Sequence, residues 1–404
     1  MWQGRGGAAV RKSHIFTPIG ILGLTCLIMT SVRPSLSQGD GTWHYLPDHV
    51  GKWKPSITEV ESRQDYKLTQ REYDTYLQKM QRLATILREL KMLSPPLGVE
   101  AHNSLSIQSP PYSDVQKPRS YIPVVGLVRL ILVPYFASGN GGIDLDPDNG
   151  AWLTFYINDL VPIFSGERYT HKGVVEDWLG SGEPPEMEDE QGLYFLAPKV
   201  VGDLQGFSIY DTAAVIFAKS QKPLWVPVSQ ERFLRHALRR AHELLETQKE
   251  ELRKAMEGAP PDVVRDAEND RREGDAAMRA SLAETPGFIR FLRADYVKAL
   301  TQELASLSPA ERDAPAYYSP DWKTTRRPSG LLDAGSPQAQ PVVSPNPDFF
   351  NPTLPRTAIQ VIVMLGISGR ERPPAHPERV IPAVARRFEV RETLDWRKIA
   401  ALVE

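Results

Sequence analysis

Cysteine is almost missing from this chain: among 404 residues there is one, Cys26, inside an N-terminal apolar run. A dominant charge is missing as well, since 48 Lys+Arg stand against 50 Asp+Glu. The first absence leaves the chain beyond that run with no disulfide, no thiolate nucleophile and no Cys-ligated zinc or iron–sulfur site. The second leaves no basic footprint for nucleic acid, so no nucleic-acid partner is expected. Short catalytic signatures are equally scarce. No G-x-S-x-G elbow occurs, which disfavours an α/β-hydrolase. Gly139–Gly142 lacks the Lys-Ser/Thr and the helix that complete a phosphate loop.

What is present begins with a leader. Arg5, Arg11 and Lys12 precede an apolar stretch from Ile15 to Val32, and Ser35-Leu36-Ser37 follows, with no acidic residue before Asp40. That order is the pattern of a secretory signal peptide cleaved after Ser37, with small residues at the positions a signal peptidase reads. An uncleaved anchor is the alternative, against which Thr17, Pro18 and Thr25 interrupt the run. Gly23-Leu24-Thr25 before Cys26 does not make a lipobox. The expectation is therefore an exported protein, periplasmic or extracellular, touching a membrane only if the leader stays on. Cleavage would remove Arg5, Arg11, Lys12 and Arg33 and no acid, leaving 44 of the 48 cations against 50 anions. It would also remove Cys26, and export separates the protein from the cytoplasmic ATP and NAD pools.

The remainder reads as an α+β fold, a mixed or antiparallel sheet covered by long amphipathic helices and joined by Pro-rich linkers; the chain has 35 Pro. After the leader (1–37), residues 38–120 hold an N-terminal helical segment and a Pro/Ser-rich connector at 95–120. In Thr69–Leu93 the residues Tyr73, Tyr76, Leu77, Met80, Leu83, Ile86, Leu87 and Leu90 recur at helical spacing, and Thr69 with Glu72 forms a capping box. Residues 121–228 form a β-rich core of apolar runs, the last two of which, Phe207–Lys219 and Pro223–Val228, read as a hairpin. Residues 229–307 make a helical layer or insertion. Residues 308–345 are a Pro-rich linker, and 346–404 carry an apolar strand, Ala358–Leu365, followed by a terminal helix. A lone strand needs partners, so it is expected to return to the core sheet.

Three groups of residues invite a chemical reading. Asp144, Asp146 and Asp148 alternate as oxygen ligands do at the start of a calcium loop. The match then breaks, with Asn149 at the sharp-turn position and Phe155 where a bidentate Glu belongs, so an Asx-type turn explains them better and calcium is the one cofactor candidate. His236 and His242 are six apart on one helix and point apart, and Glu246 stands where an HExxH motif needs its second His. Trp152, Phe155, Tyr156, Trp178, Tyr210 and Trp225 lie in the β-rich segment; packing of the sheet is the expectation, a recognition surface the alternative. No residue is singled out as catalytic. Two function classes remain: a non-catalytic envelope or extracellular protein that binds a protein partner or ligand, and a carboxylate- or histidine-dependent hydrolase outside the cytoplasm.

Overall fold

The computed structural model describes residues 44–59, 66–108, 123–139, 141–165, 188–189, 192–257, 265, 269, 272, 293–318, 327–346, 348–366 and 381–404. The leader, the connector residues 109–122, most of the acidic loop 180–192, most of 258–292, and Trp178 lie outside them.

Strands β1 (His44–Tyr45), β2 (Ile57–Glu59), β3 (Val99–Ile107), β4 (Gly126–Ala137), β5 (Ile143–Leu145) and β6 (Ala151–Ile157) come first in the chain. The short strands β7 (Glu188–Asp189), β8 (Gly192–Leu193) and β9 (Phe195–Leu196) follow, then β10 (Val200–Leu204), β11 (Phe207–Tyr210) and β12 (Val215–Ala218). Last come β13 (Trp225–Pro227), β14 (Tyr317–Tyr318), β15 (Gln340–Pro345) and β16 (Val361–Leu365). Helices among the described residues include α1 (Gln70–Arg88), α2 (Pro162–Ser165), α3 (Gln230–Met256), α4 (Arg293–Ser306), α5 (Pro309–Asp313), α6 (Pro382–Thr393) and α7 (Trp396–Ala400).

Together these make a mixed α/β protein around a ten-stranded sheet ordered β10-β11-β12-β16-β6-β4-β3-β2, with β1 and β5 added along β4. The β2–β3 pair is parallel and the others are antiparallel. The apolar run of the C-terminal section, β16, lies between β12 and β6, with Met364 opposite Val215 on one side and Phe155 on the other. A smaller sheet places β15 between β13 and β14, with β9 also on β15.

Alternation along the strands assigns the layers. Val128, Leu130 and Leu132 of β4, Leu153 and Phe155 of β6, and Ile362 and Met364 of β16 pack on α1, α6 and α7 in the main core. Leu127, Tyr156, Val361, Val363 and Leu365 point to the other face and meet Phe195 and Val343 of the small sheet. Val342, the next residue of β15, points away into a third cluster with Phe233, Leu234 and Ala237 of α3 and Tyr296 and Leu300 of α4. The order of layers is thus helices, large sheet, small sheet, helices.

Local chemistry explains the joints. Thr69 and Glu72 form the reciprocal capping box at the start of α1, satisfying backbone donors that the helix leaves open. Asn158, just past β6, is buried with φ of 58°. Its amide donates to Val124 O at 2.9 Å and Ala358 O at 2.8 Å, and its Oδ1 accepts from Gln360 N at 2.8 Å. One side chain therefore ties the starts of β4 and β16 to the end of β6.

Three segments differ from their composition. Val99–Ile107, inside the stretch read as connector, is a nine-residue strand paired along its length with β4. Its side chains alternate, but half are polar, so it carries no apolar run. Phe207–Lys219 and Pro223–Val228 are not one hairpin. The first segment turns back on itself as β11 and β12, whereas Trp225–Pro227 leaves for the small sheet, where Trp225 packs in the core between the sheets. Within 308–345, β15 is a central strand with Val342 and Val343 buried, so those described residues are an interior element rather than a surface strap.

Candidate functional site

The small sheet covers only part of the large sheet's second face. The row Val363–Tyr156–Leu127, read across β16, β6 and β4, lies under it. One row further along, Leu365, Thr154, Arg129, Ser104 and Ile57 stand side by side on five neighbouring strands. The next row places Trp152, Ile131 and His102 together, and the one after it pairs Val133 with Glu100. Directly opposite residues of antiparallel strands bring their Cβ atoms within about 4.5–5.5 Å, so each row is a line of touching side chains.

Cover thins along these rows. Ile57 is 50 % exposed and Trp152 48 % exposed, while Arg129, Ile131, Val133, His102 and Ser104 are half-buried. Thr154, between Leu365 and Arg129, is buried. Polar groups lack partners here. Among the described residues no hydrogen bond or ion pair engages the Arg129 guanidinium or the Ser104 and Thr154 hydroxyls, and His102 Nδ1 is buried without a partner.

The far end of the patch is ionic. Glu100 is buried and takes its counter-charge from Lys54 Nζ at 2.6 Å, on the exposed side chain of the neighbouring segment. Burial holds the His102 imidazole below its ordinary pKa, against the opposing pull of Glu100. Tyr135, two residues beyond Val133 on the same face, is raised by burial first and by Glu100 second, and its ring meets His49 edge-on at 4.5 Å. A lowered imidazole and a raised phenol favour their neutral forms and can bind and orient a ligand by hydrogen bonding.

The residues singled out in the sequence lie elsewhere. Asp144, Asp146 and Asp148 share the loop between β4 and β6, with Asp144 and Asp148 exposed. The Asp146 carboxylate is committed locally: it accepts from the Tyr45 hydroxyl at 2.9 Å, Asn149 Nδ2 at 2.8 Å and Asn149 N at 3.3 Å, capping the 3-10 turn Pro147–Asn149. His236 is buried against the Tyr194 ring at 4.9 Å, and His242, on the same helix, is exposed. No group of three or more His, Cys, Asp or Glu among the described residues is placed to hold a metal.

Of the aromatic set, Phe155 and Tyr156 are buried as packing requires. Trp152 differs: its position on β6 points to the second face beyond the edge of the small sheet, so it stands open. Two further carboxylates are buried away from the patch. Glu303 on α4 accepts from Arg327 Nε at 2.7 Å and Ser329 N at 2.9 Å, which pins the loop after residue 327 to the helix. Asp159, beside Asn158, accepts from Val161 N at 3.0 Å, and burial raises its pKa to about 6.

Sequence reasoning missed Glu100, His102 and Arg129, although a signal existed for each. Arg129 is the one charge within the apolar run Tyr121–Pro134, and Val99-Glu100-Ala101-His102-Asn103-Ser104-Leu105-Ser106 alternates in and out. Comparison with family models, with curated proteins and with solved structures finds no match to this chain.

Proposed function

We propose that this is an exported, non-catalytic envelope or extracellular protein that binds a protein partner or ligand through the open part of the large sheet. The observation that carries the reading is Trp152, an indole 48 % exposed in the middle of a ten-stranded sheet, flanked by a guanidinium and hydroxyls that nothing in the described chain engages. Exposed aromatic side chains beside unused polar groups are the usual composition of a recognition surface. The leader pattern of residues 1–37 supports export. Within this reading the helices of 69–93 and 229–307 serve as amphipathic covers whose charged outer faces are solvated.

A second reading, an extracytoplasmic hydrolase, draws on Glu100 and His102, which project from the same face of β3 two residues apart. It is the weaker one, because Glu100 is neutralised by Lys54 and no hydroxyl is hydrogen-bonded to His102 among the described residues.

The test is crosslinking capture on the tagged full chain in its native cells, with the bait's intact mass read in parallel. A bait beginning at Gln38, holding one stoichiometric partner or small molecule that Trp152→Glu releases while the thermal midpoint stays put, is the expected result. Capture indifferent to Trp152→Glu overturns the binding face. A bait that keeps its leader overturns the export assignment.

A further inference from the structure

The rows of the open face fix a ligand chemistry. This inference rests on the binding face described under the proposed function and specifies what it holds. Arg129 brings a permanent positive charge onto a half-buried sheet surface without an anionic partner among the described residues. A guanidinium in that position has lost part of its hydration and regains it only when an anion is supplied from outside. Its two cross-strand neighbours, Ser104 and Thr154, each offer a hydroxyl with no other hydrogen bond. A planar fork with a hydroxyl on either side matches two oxygens in one plane, which is the shape of a carboxylate.

The charge count points the same way. One guanidinium balances one negative charge. The cation next along the face, Lys54, is already held by Glu100 and is not free to pair with a second negative charge. Beside the seat lies apolar surface: Ile131 follows Arg129 on the same face of β4, and Trp152 stands opposite Ile131. Diagonal neighbours across strands are about 7–8 Å apart, within reach of an indole.

We propose that Arg129, between the Ser104 and Thr154 hydroxyls, seats the carboxylate of an organic acid whose apolar or aromatic body lies over Ile131 and the Trp152 indole. No bond is made or broken; the step is association. Leu365 and the small sheet close one side of the seat, so the body extends towards Trp152 and His102, where the face is open.

The experiment uses the full chain with 15N-labelled tryptophan, the Trp152 indole resonance being assigned through Trp152→Phe. The probes are 3-phenylpropionate, its uncharged amide, and inorganic phosphate. The acid is expected to shift the Trp152 resonance and to bind about tenfold or more tightly than the amide, the ratio that a charge-assisted bidentate pair supplies. Arg129→Gln is expected to remove that preference, and Arg129→Lys, which keeps the charge and loses the fork, to recover only part of it. The acid–amide comparison on the unmodified chain does not depend on how the variants fold. Acid and amide binding equally well overturns the carboxylate seat and leaves the binding face standing. Phosphate competing as strongly as the acid overturns the assignment to a carboxylate. No probe moving the Trp152 resonance overturns both the seat and the face.

Discussion

Asn158 and Asp159 are neighbours in sequence, both buried, and opposite in consequence. Asn158 spends its amide on two carbonyls and a backbone N–H, so its burial is fully compensated. Asp159 accepts one hydrogen bond, from Val161 N, and has its charged form penalised by burial, which lifts its pKa from 3.8 to about 6. Below about pH 4 both the folded and unfolded chains hold that proton, and the carboxyl costs nothing. As pH rises from about 4 to about 6 the unfolded chain releases it first, so stability falls; above about 6 the whole loss is in place, roughly 3 kcal/mol at 1.36 kcal/mol per pKa unit. Asp159→Asn keeps the acceptor for Val161 N and removes the ionisation. The expected outcome in urea titrations is a gain of about 2–3 kcal/mol at pH 7.5 and little change at pH 4. Equal gains at both pH values would show that the cost of Asp159 is not ionisation.

At the scale of elements, the contact between α1 and the sheet turns on a missing side chain. A Cβ at Gly126, the first residue of β4, would lie 2.8 Å from the Tyr76 hydroxyl and 3.2 Å from Met80 Sδ. Tyr76 cannot swing aside, because that hydroxyl donates to Val124 O at 2.8 Å from a fully buried ring. Replacing glycine in a strand would otherwise help, by about 0.4–1 kcal/mol of unfolded-state entropy. Overpacking at about 1–3 kcal/mol outweighs it, so Gly126→Ala is expected to lower the urea midpoint. A double-mutant cycle with Tyr76→Phe checks the cause: the added methyl should cost less once the hydroxyl is gone. Helix α1 itself was plain in the sequence, since Tyr76, Met80, Leu83 and Leu87 fall on one side and Thr69 and Glu72 mark its start. Strand β3 was not, because a strand buried on one face and polar on the other has no apolar run, and prolines at 95 and 96 made its neighbourhood look like a connector. The open patch was illegible for a related reason. Trp152 and Tyr156 are both aromatic and share one face of β6, and which of them is covered depends on where the small sheet ends, a fact of tertiary placement that β15 supplies from almost 190 residues away.

The whole molecule is closed by its C-terminal section. Strand β16 completes the sheet between β6 and β12, partners whose sequence positions lie far before it, and all five residues from Val361 to Leu365 are fully buried. The chain end then returns to α1 and β16: Glu404 N donates to Ile359 O at 2.7 Å, and the Glu404 carboxylate meets Lys79 Nζ. Burying five such side chains is worth on the order of 10 kcal/mol, comparable to the 5–15 kcal/mol that separates a typical folded domain from its unfolded chain. Loss of the section also opens β6 and β12 as unpaired edges in the middle of the sheet, where neither has the charges or prolines that protect natural edges. A chain ending at Thr357 is therefore expected to show no cooperative urea transition and to bind a hydrophobic dye, while the peptide 358–404 added in trans restores the transition by supplying β16, α6 and α7 together. A truncated chain that unfolds cooperatively at the midpoint of the full one would mean that the layers on either side of β16 are stable by themselves. The open face would then belong to a smaller unit built on β3, β4 and β6, and Trp152 should keep its exposure there.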